Sequence, residues 1–297
     1  METSVNRAGV RHAWFGVMFV AAVAVYFAPL TTLGRLSFSP HEHYSHTLLV
    51  PFISAYLVFI NREMIFSSTD WSVPAGIAGF AVAGIGWFAG RKFTLESQDD
   101  ALALTMATFV LVCVSAFVLC YGRRAAARAL FPLCLLVLMV PLPTHVVDNI
   151  VYLLQSGSTE VAHAGFRLFD VPVYRDGFSF SLPGVTVVVA EECSGIRSSM
   201  ALLITALVGG YLFVQSDVNR WILCLSVIPL AMLKNGLRIV TLTILAAYVN
   251  PSFLTGRLHR QGGFVFFLIA LALLFLEMRW LERYRARRSG AAVAAAN

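Results

Sequence analysis

Charge is what this sequence has least of. Asp, Glu, Lys and Arg together make up 13% of 297 residues, against 58% hydrophobic ones. A soluble globular domain carries about a quarter charged residues, so this balance excludes an ordinary water-soluble fold. Apolar runs of about 20 residues, the length a bilayer span requires, recur along the chain. Acid is the scarcer sign, 16 Asp and Glu against 22 Lys and Arg, for a net charge of +6. The basic excess sits in short loops and in the C-terminal tail, where it sets membrane orientation, and no DNA- or RNA-binding motif accompanies it. A nucleic-acid partner is therefore not expected. No C-x-x-C occurs, and the five cysteines are an odd number, which argues against a disulfide framework and against a zinc site. No small-residue cleavage site follows the first apolar stretch, 13–33, which reads as a retained helix rather than a removed leader.

What is there is a succession of apolar segments. Spanning helices are predicted near 13–33, 46–61, 72–90, 101–121, 126–143, 194–214, 219–249 and 263–281. The expected fold is an all-α integral membrane protein of about eight transmembrane helices, forming one polytopic domain over 1–297. An even number of spans puts both termini on one side. Arg7, Arg11, Arg62, Arg123, Arg124, Arg128, Arg220 and the cluster Arg279, Arg283, Arg285, Arg287 and Arg288 share that side, which is thereby read as cytoplasmic. The tail, 282–297, is basic and then Ala-rich. The remaining long segment, 144–192, falls outside as an extracytoplasmic insert. Its first part, 145–169, has the mixed polarity of an interfacial helix. Its second part alternates Phe178, Phe180 and Leu182 with Ser179 and Ser181, then runs through the β-branched 185–189. Asp176-Gly177 and Pro183-Gly184 supply the turns, so a small β-meander is predicted before the sixth span.

Four cysteines, Cys113, Cys120, Cys134 and Cys224, fall inside apolar spans and behave as small hydrophobes. Cys193 differs because it stands at the strand-to-helix boundary. There it is either a packed thiol or a first-turn nucleophile whose thiolate the unpaired N–H groups and helix dipole favour. Ser194 and Gly195 allow close backbone approach, suited to an oxyanion hole. Glu191 and Glu192 act oppositely on the thiol, and Arg197 is placed to balance one of them. The 219–249 segment is longer than a single crossing needs and reads as one long helix. Arg238 stands roughly 28 Å from its cytoplasmic end, near the outer edge of a hydrocarbon core about 30 Å thick. It is either a snorkelling residue or, with Arg197 and Lys234, part of an interior site; the long helix lifts Lys234 and Asn235 towards the same outer depth. His259, just before the eighth span, is either an interfacial loop histidine or the acid–base partner of Cys193. The other outer histidines include His41, His43 and His46, whose spacing matches no familiar metal pattern, so no metal or other cofactor is expected.

The run Glu192-Cys193-Ser194-Gly195-Ile196-Arg197-Ser198, then Asn235-Gly236-Leu237-Arg238, then His259 before Gly262-Gly263, resembles the signature blocks of the exosortase/archaeosortase family. Tyr44-Ser45-His46 followed by Leu49-Val50-Pro51 resembles that family's second-helix region, with Thr47 replacing the usual glycine. The resemblance implies a membrane cysteine protease-transpeptidase with Cys193 as nucleophile, Arg238 as catalytic arginine and His259 as third member. Glu192, Ser194, Gly195, Arg197 and Asn235 would support them. Archaeal relatives carry arginine at the third place, which leaves the adjacent Arg260 open. The implied partners are exported proteins ending in a short motif such as Pro-Glu-Pro, a membrane helix and a basic tail, together with membrane lipid and an amine or lipid acceptor. His46, Arg175 and Arg260 are weaker candidates for substrate contact. The implied location is the inner membrane, with the site facing outward. A multi-pass transporter, or a non-catalytic scaffold of envelope polysaccharide assembly, is the alternative.

Overall fold

The computed structural model describes residues 2–38, 44–92, 97–190, 195–254 and 263–296. Packing divides the chain into two compact units, Met1–Val147 and Asp148–Asn297.

In the first unit, α1 (Glu2–Val25) and α2 (Phe27–Phe38) meet at a bend of 72°. The cause is local. Pro29 has no N–H to give Val25 and its ring crowds that carbonyl, while Tyr26 and Leu30 on either side keep their i→i−4 bonds at 2.9 and 3.0 Å. Helix α3 (Leu49–Ile60) is followed by the single turn α4 (Arg62–Ile65). Thr47 is fully buried ahead of α3, with Oγ1 bonded to the Tyr44 carbonyl at 2.7 Å and 2.9 Å from Ser37 Oγ. Its hydroxyl ties this loop to α2, a role no glycine fills.

Helices α5 (Val73–Lys92) and α6 (Gln98–Arg128) form the unit's antiparallel hairpin. Gly76 and Gly79 on α5 face Leu119 and Ser115, and Gly86 and Gly90 face Thr108 and Leu104, so small residues let the backbones close up. Gly122 interrupts α6 with φ 84°, and the approach of Asp70 there leaves no room for a Cβ. An aromatic cluster of Phe15, Phe66, Phe117 and Tyr121 closes that end, with His12 Nδ1 at 2.8 Å from the Tyr121 hydroxyl. Helix α7 (Leu130–Leu135) and the 3₁₀ turn Leu136–Met139 follow.

The second unit takes in most of α8 (Thr144–Leu168), a three-stranded sheet, α9 (Ile196–Phe213), α10 (Asp217–Tyr248), the 3₁₀ turn Pro251–Leu254 and α11 (Gly263–Ala296). Strands β1 (Tyr174–Asp176), β2 (Ser179–Leu182) and β3 (Val185–Val188) pair antiparallel in order β1-β2-β3. Phe180 and Leu182 point inward and pack with Ala162 and Phe166 of α8 and Ile239 and Val240 of α10. Buried Gln155 donates to the Val189 carbonyl at 2.5 Å, holding the end of the sheet to α8. Helices α9, α10 and α11 share a second core around Leu202, Leu223, Val227 and Leu274.

Among the described residues five helices, α5, α6, α9, α10 and the first 22 residues of α11, are long and apolar enough to cross a membrane, and two bent pairs raise the number to seven if each pair is one span. The molecule is an all-α membrane protein with a small sheet. It departs from the expectation of eight continuous spans in three places. The 13–33 segment is broken after Val25, the residue four before Pro29. The 46–61 segment yields only the 12-residue α3, about 18 Å long. The 126–143 segment is broken after Arg128, the residue four before Pro132, and ends where Val140 turns extended ahead of Pro141. The helix expected over 145–169 forms, and its second half packs along α10.

Candidate functional site

The site is built where α9 begins. Gly195 is the residue preceding α9, and it adopts φ 74°, ψ 19°, the left-handed region open to glycine at little strain. Its carbonyl collects three donors: Ser199 N–H at 3.0 Å, Ser199 Oγ at 2.9 Å and Ser198 Oγ at 2.9 Å. The turn is thus clamped by the first turn of the helix it starts. A second clamp comes from α10. A Cβ on Gly195 would stand 3.2 Å from Lys234 Nζ and 3.4 Å from Asn235 Oδ1. Lys234 Nζ also donates to Ser198 Oγ. Lys234 is 6% exposed and Asn235 1%, so both polar groups are carried inside the unit.

The presentation of these groups follows from how α10 packs. Gly157, Val161 and Gly165 of α8 lie against Met232, Gly236 and Val240 of α10, a four-residue repeat on each helix that runs in the same direction. At Gly236 a Cβ would overlap the Val161 side chain and stand 3.1 Å from the Ser158 carbonyl oxygen. With that face fixed against α8, the neighbouring Lys234 and Asn235 reach Gly195. Arg238 is partly buried one turn beyond Lys234 and one turn beyond Asn235. Ionisable groups on a membrane helix are costly and usually serve an interior site, and α10 carries two of them one turn apart.

Of the residues singled out in sequence, Gly195 and Asn235 are brought together, Arg238 stands on the same helix as Asn235, and Arg197 is in the first turn of α9. Cys193, Glu192 and Ser194 immediately precede Gly195 and lie outside the described residues, as do His41, His43, His259 and Arg260. His46 belongs to the first unit, beside α3. Arg175 is engaged elsewhere. Its guanidinium bonds Glu160 Oε1 at 2.7 Å and the Gly177 carbonyl at 3.0 Å, with His163 Nδ1 at 3.4 Å, so it fastens β1 to α8. The Glu160 bond, more than any other influence, raises the Arg175 pKa above its ordinary value. Sequence reasoning did not assign Ser198 or Ser199. Their signal was present in the helical spacing, since a residue three or four places after a cap can return its hydroxyl to the cap carbonyl.

No curated protein and no solved structure matches the chain. Residues 36–276 match the family model of transmembrane exosortases, which covers both the Gly195 turn and the Asn235–Arg238 stretch packed beside it, and the chain belongs to that family.

Proposed function

We propose that this exosortase is a cysteine transpeptidase that removes the C-terminal sorting signal of exported proteins at the outer face of the inner membrane. The observation that carries the reading is the packing of the Gly195 turn, two residues after Cys193, against Lys234 and Asn235 of α10. Two sequence blocks 40 residues apart meet there, one holding a cysteine and the other an arginine.

The substrate's tail helix docks laterally in the bilayer and brings its motif to the interface. The Cys193 thiolate attacks the scissile carbonyl carbon, and Arg238 stabilises the oxyanion. Collapse breaks the C–N bond, with His259 giving its proton to the departing amine, and leaves a thioester. An acceptor amine, a lipid headgroup or water then attacks the thioester and returns a proton to His259, and sulfur leaves as thiolate.

The test is to co-express a substrate ending in motif, apolar helix and basic tail with the native protein or Cys193→Ala. The native protein should shorten the substrate, and the variant, made at equal level, should leave it as precursor. Arg238→Ala should slow processing by at least about 100-fold. Undiminished shortening by Cys193→Ala sinks the reading.

A further inference from the structure

Lys234 is the buried cation that the mechanism above leaves without a task. Its Nζ donates to Ser198 Oγ, and Ser198 Oγ in turn donates to the Gly195 carbonyl at 2.9 Å. The same Nζ stands 3.2 Å from where a Gly195 Cβ would be. Among the described residues, Lys234 makes no ion pair with a carboxylate. A lysine 94% withdrawn from solvent on a membrane helix is destabilising unless its three donors are used. A leucine or methionine would fill the same volume at lower desolvation cost, so packing alone does not account for it.

We infer that Lys234 is a positioning residue for the nucleophile, acting through Ser198 and the Gly195 carbonyl to fix the turn that begins two residues after Cys193. The inference rests on Cys193 being the nucleophile. The chain of contacts joins α10 to the first turn of α9 through one hydroxyl, which both accepts from the ammonium and donates to the carbonyl. A hydroxyl does both at once; an alkyl group does neither. Ser199 makes the same bond to the Gly195 carbonyl from within α9, so removing Ser198 Oγ leaves the helix start capped while cutting the link to α10. That separates local folding from positioning. Two carboxylates, Glu191 and Glu192, precede Cys193, and the predicted requirement for the Ser198 hydroxyl distinguishes this relay from a simple pairing of Lys234 with either of them.

The experiment compares Ser198→Ala, Ser198→Thr and Lys234→Met in detergent-purified full-length protein, with thermal unfolding as the check on folding. Two quantities are read: processing kinetics on a sorting-signal substrate, and the rate at which a small iodoacetamide probe alkylates Cys193, measured by peptide mass. Ser198→Ala and Lys234→Met are each expected to lower kcat by roughly 10- to 100-fold with KM nearly unchanged, as a misplaced reacting group does. Alkylation of Cys193 should change in both variants, and Ser198→Thr, which keeps the hydroxyl, should restore both readouts. A Ser198→Ala protein with native kcat and a native alkylation rate overturns the inference, even if Lys234→Met is inactive. A rise in KM alone does so too. If Cys193→Ala still processes substrate, the functional reading itself fails. If Cys193→Ala is inactive and Ser198→Ala is fully active, only the relay fails.

Discussion

Gly195 concentrates several demands on one residue. It must hold φ at 74°, present its carbonyl to two serines, and leave room for Lys234 and Asn235. An alanine in the left-handed region costs about 1–2 kcal/mol, and its methyl would meet the Lys234 ammonium at 3.2 Å. Gly195→Ala should therefore lower thermal stability only modestly yet abolish most processing, because it displaces the turn that follows Cys193 by two residues. A variant that processes normally would show that the turn's geometry is irrelevant to chemistry. Arg175 gives the opposite expectation. Its bond to Glu160 lies at the surface, with the Glu160 side chain 68% exposed. Arg175→Ala should cost less than about 1 kcal/mol, and an unchanged KM for substrate would confirm that it serves the sheet; a raised KM would restore it to substrate recognition. The approach of Gly195 to Asn235 was legible in part at this scale. Glycine and asparagine inside short motifs marked the blocks, and charge on an apolar helix marked Lys234 and Arg238. What was not legible was the pairing. Which serine of Ser198 and Ser199 faces α10 depends on the rotation of α9 against its neighbour, and a nearly uniform apolar sequence carries little record of that rotation.

The elements show the same division. The β-meander was readable because alternation of Phe178, Phe180 and Leu182 with serines has period two, and Gly177 and Gly184 both take the positive φ that its turns need. The long α10 was readable from its unbroken apolar run. The breaks were not. Pro29 and Pro132 interrupt their helices four residues upstream, whereas Pro229 sits inside an uninterrupted α10. Proline always removes a donor, but whether the helix resumes depends on what packs around it, which the sequence does not state. The α8–α10 contact is a tertiary feature of this kind, and it makes a graded prediction. At Gly157 an added Cβ meets the unbranched, flexible side chain of Met232, while at Gly236 it meets β-branched Val161 and the Ser158 backbone. Gly157→Ala should be tolerated, with an unfolding temperature near native. Gly236→Ala should destabilise by about 1–3 kcal/mol and reduce processing as well, since it moves Lys234 and Asn235 away from Gly195. Equal effects of the two substitutions in a thermal-shift assay would mean that α8 does not set the position of α10.

For the whole molecule the open quantity is parity. Among the described residues, five single helices and two bent pairs make seven crossings if each pair spans once, and an odd number would put the two ends of the chain on opposite faces. The distribution of charge argues otherwise. Arg7 and Arg11 precede the first apolar stretch, and Arg279, Arg283, Arg285, Arg287 and Arg288 follow the last, so opposite faces would export one of two basic clusters against the strong bias for retaining them. The conflict is resolved if α3, at about 18 Å, completes an eighth crossing with its flanking turns, or if one bent pair re-enters and leaves by the side it came from. Either resolution restores an even count. Reporter fusions decide it. Green fluorescent protein joined at either end should fluoresce, as it does in the cytoplasm, while alkaline phosphatase inserted at the Pro183-Gly184 turn should be active, as it is outside. Active phosphatase at the C-terminal end, with a fluorescent N-terminal fusion, would establish an odd number of crossings and a reversed α11. A transpeptidase acting on exported proteins also requires the phosphatase at the β-meander to be active, because only six residues separate β3 from Gly195, about 9 Å as helix and too few to cross a core about 30 Å thick.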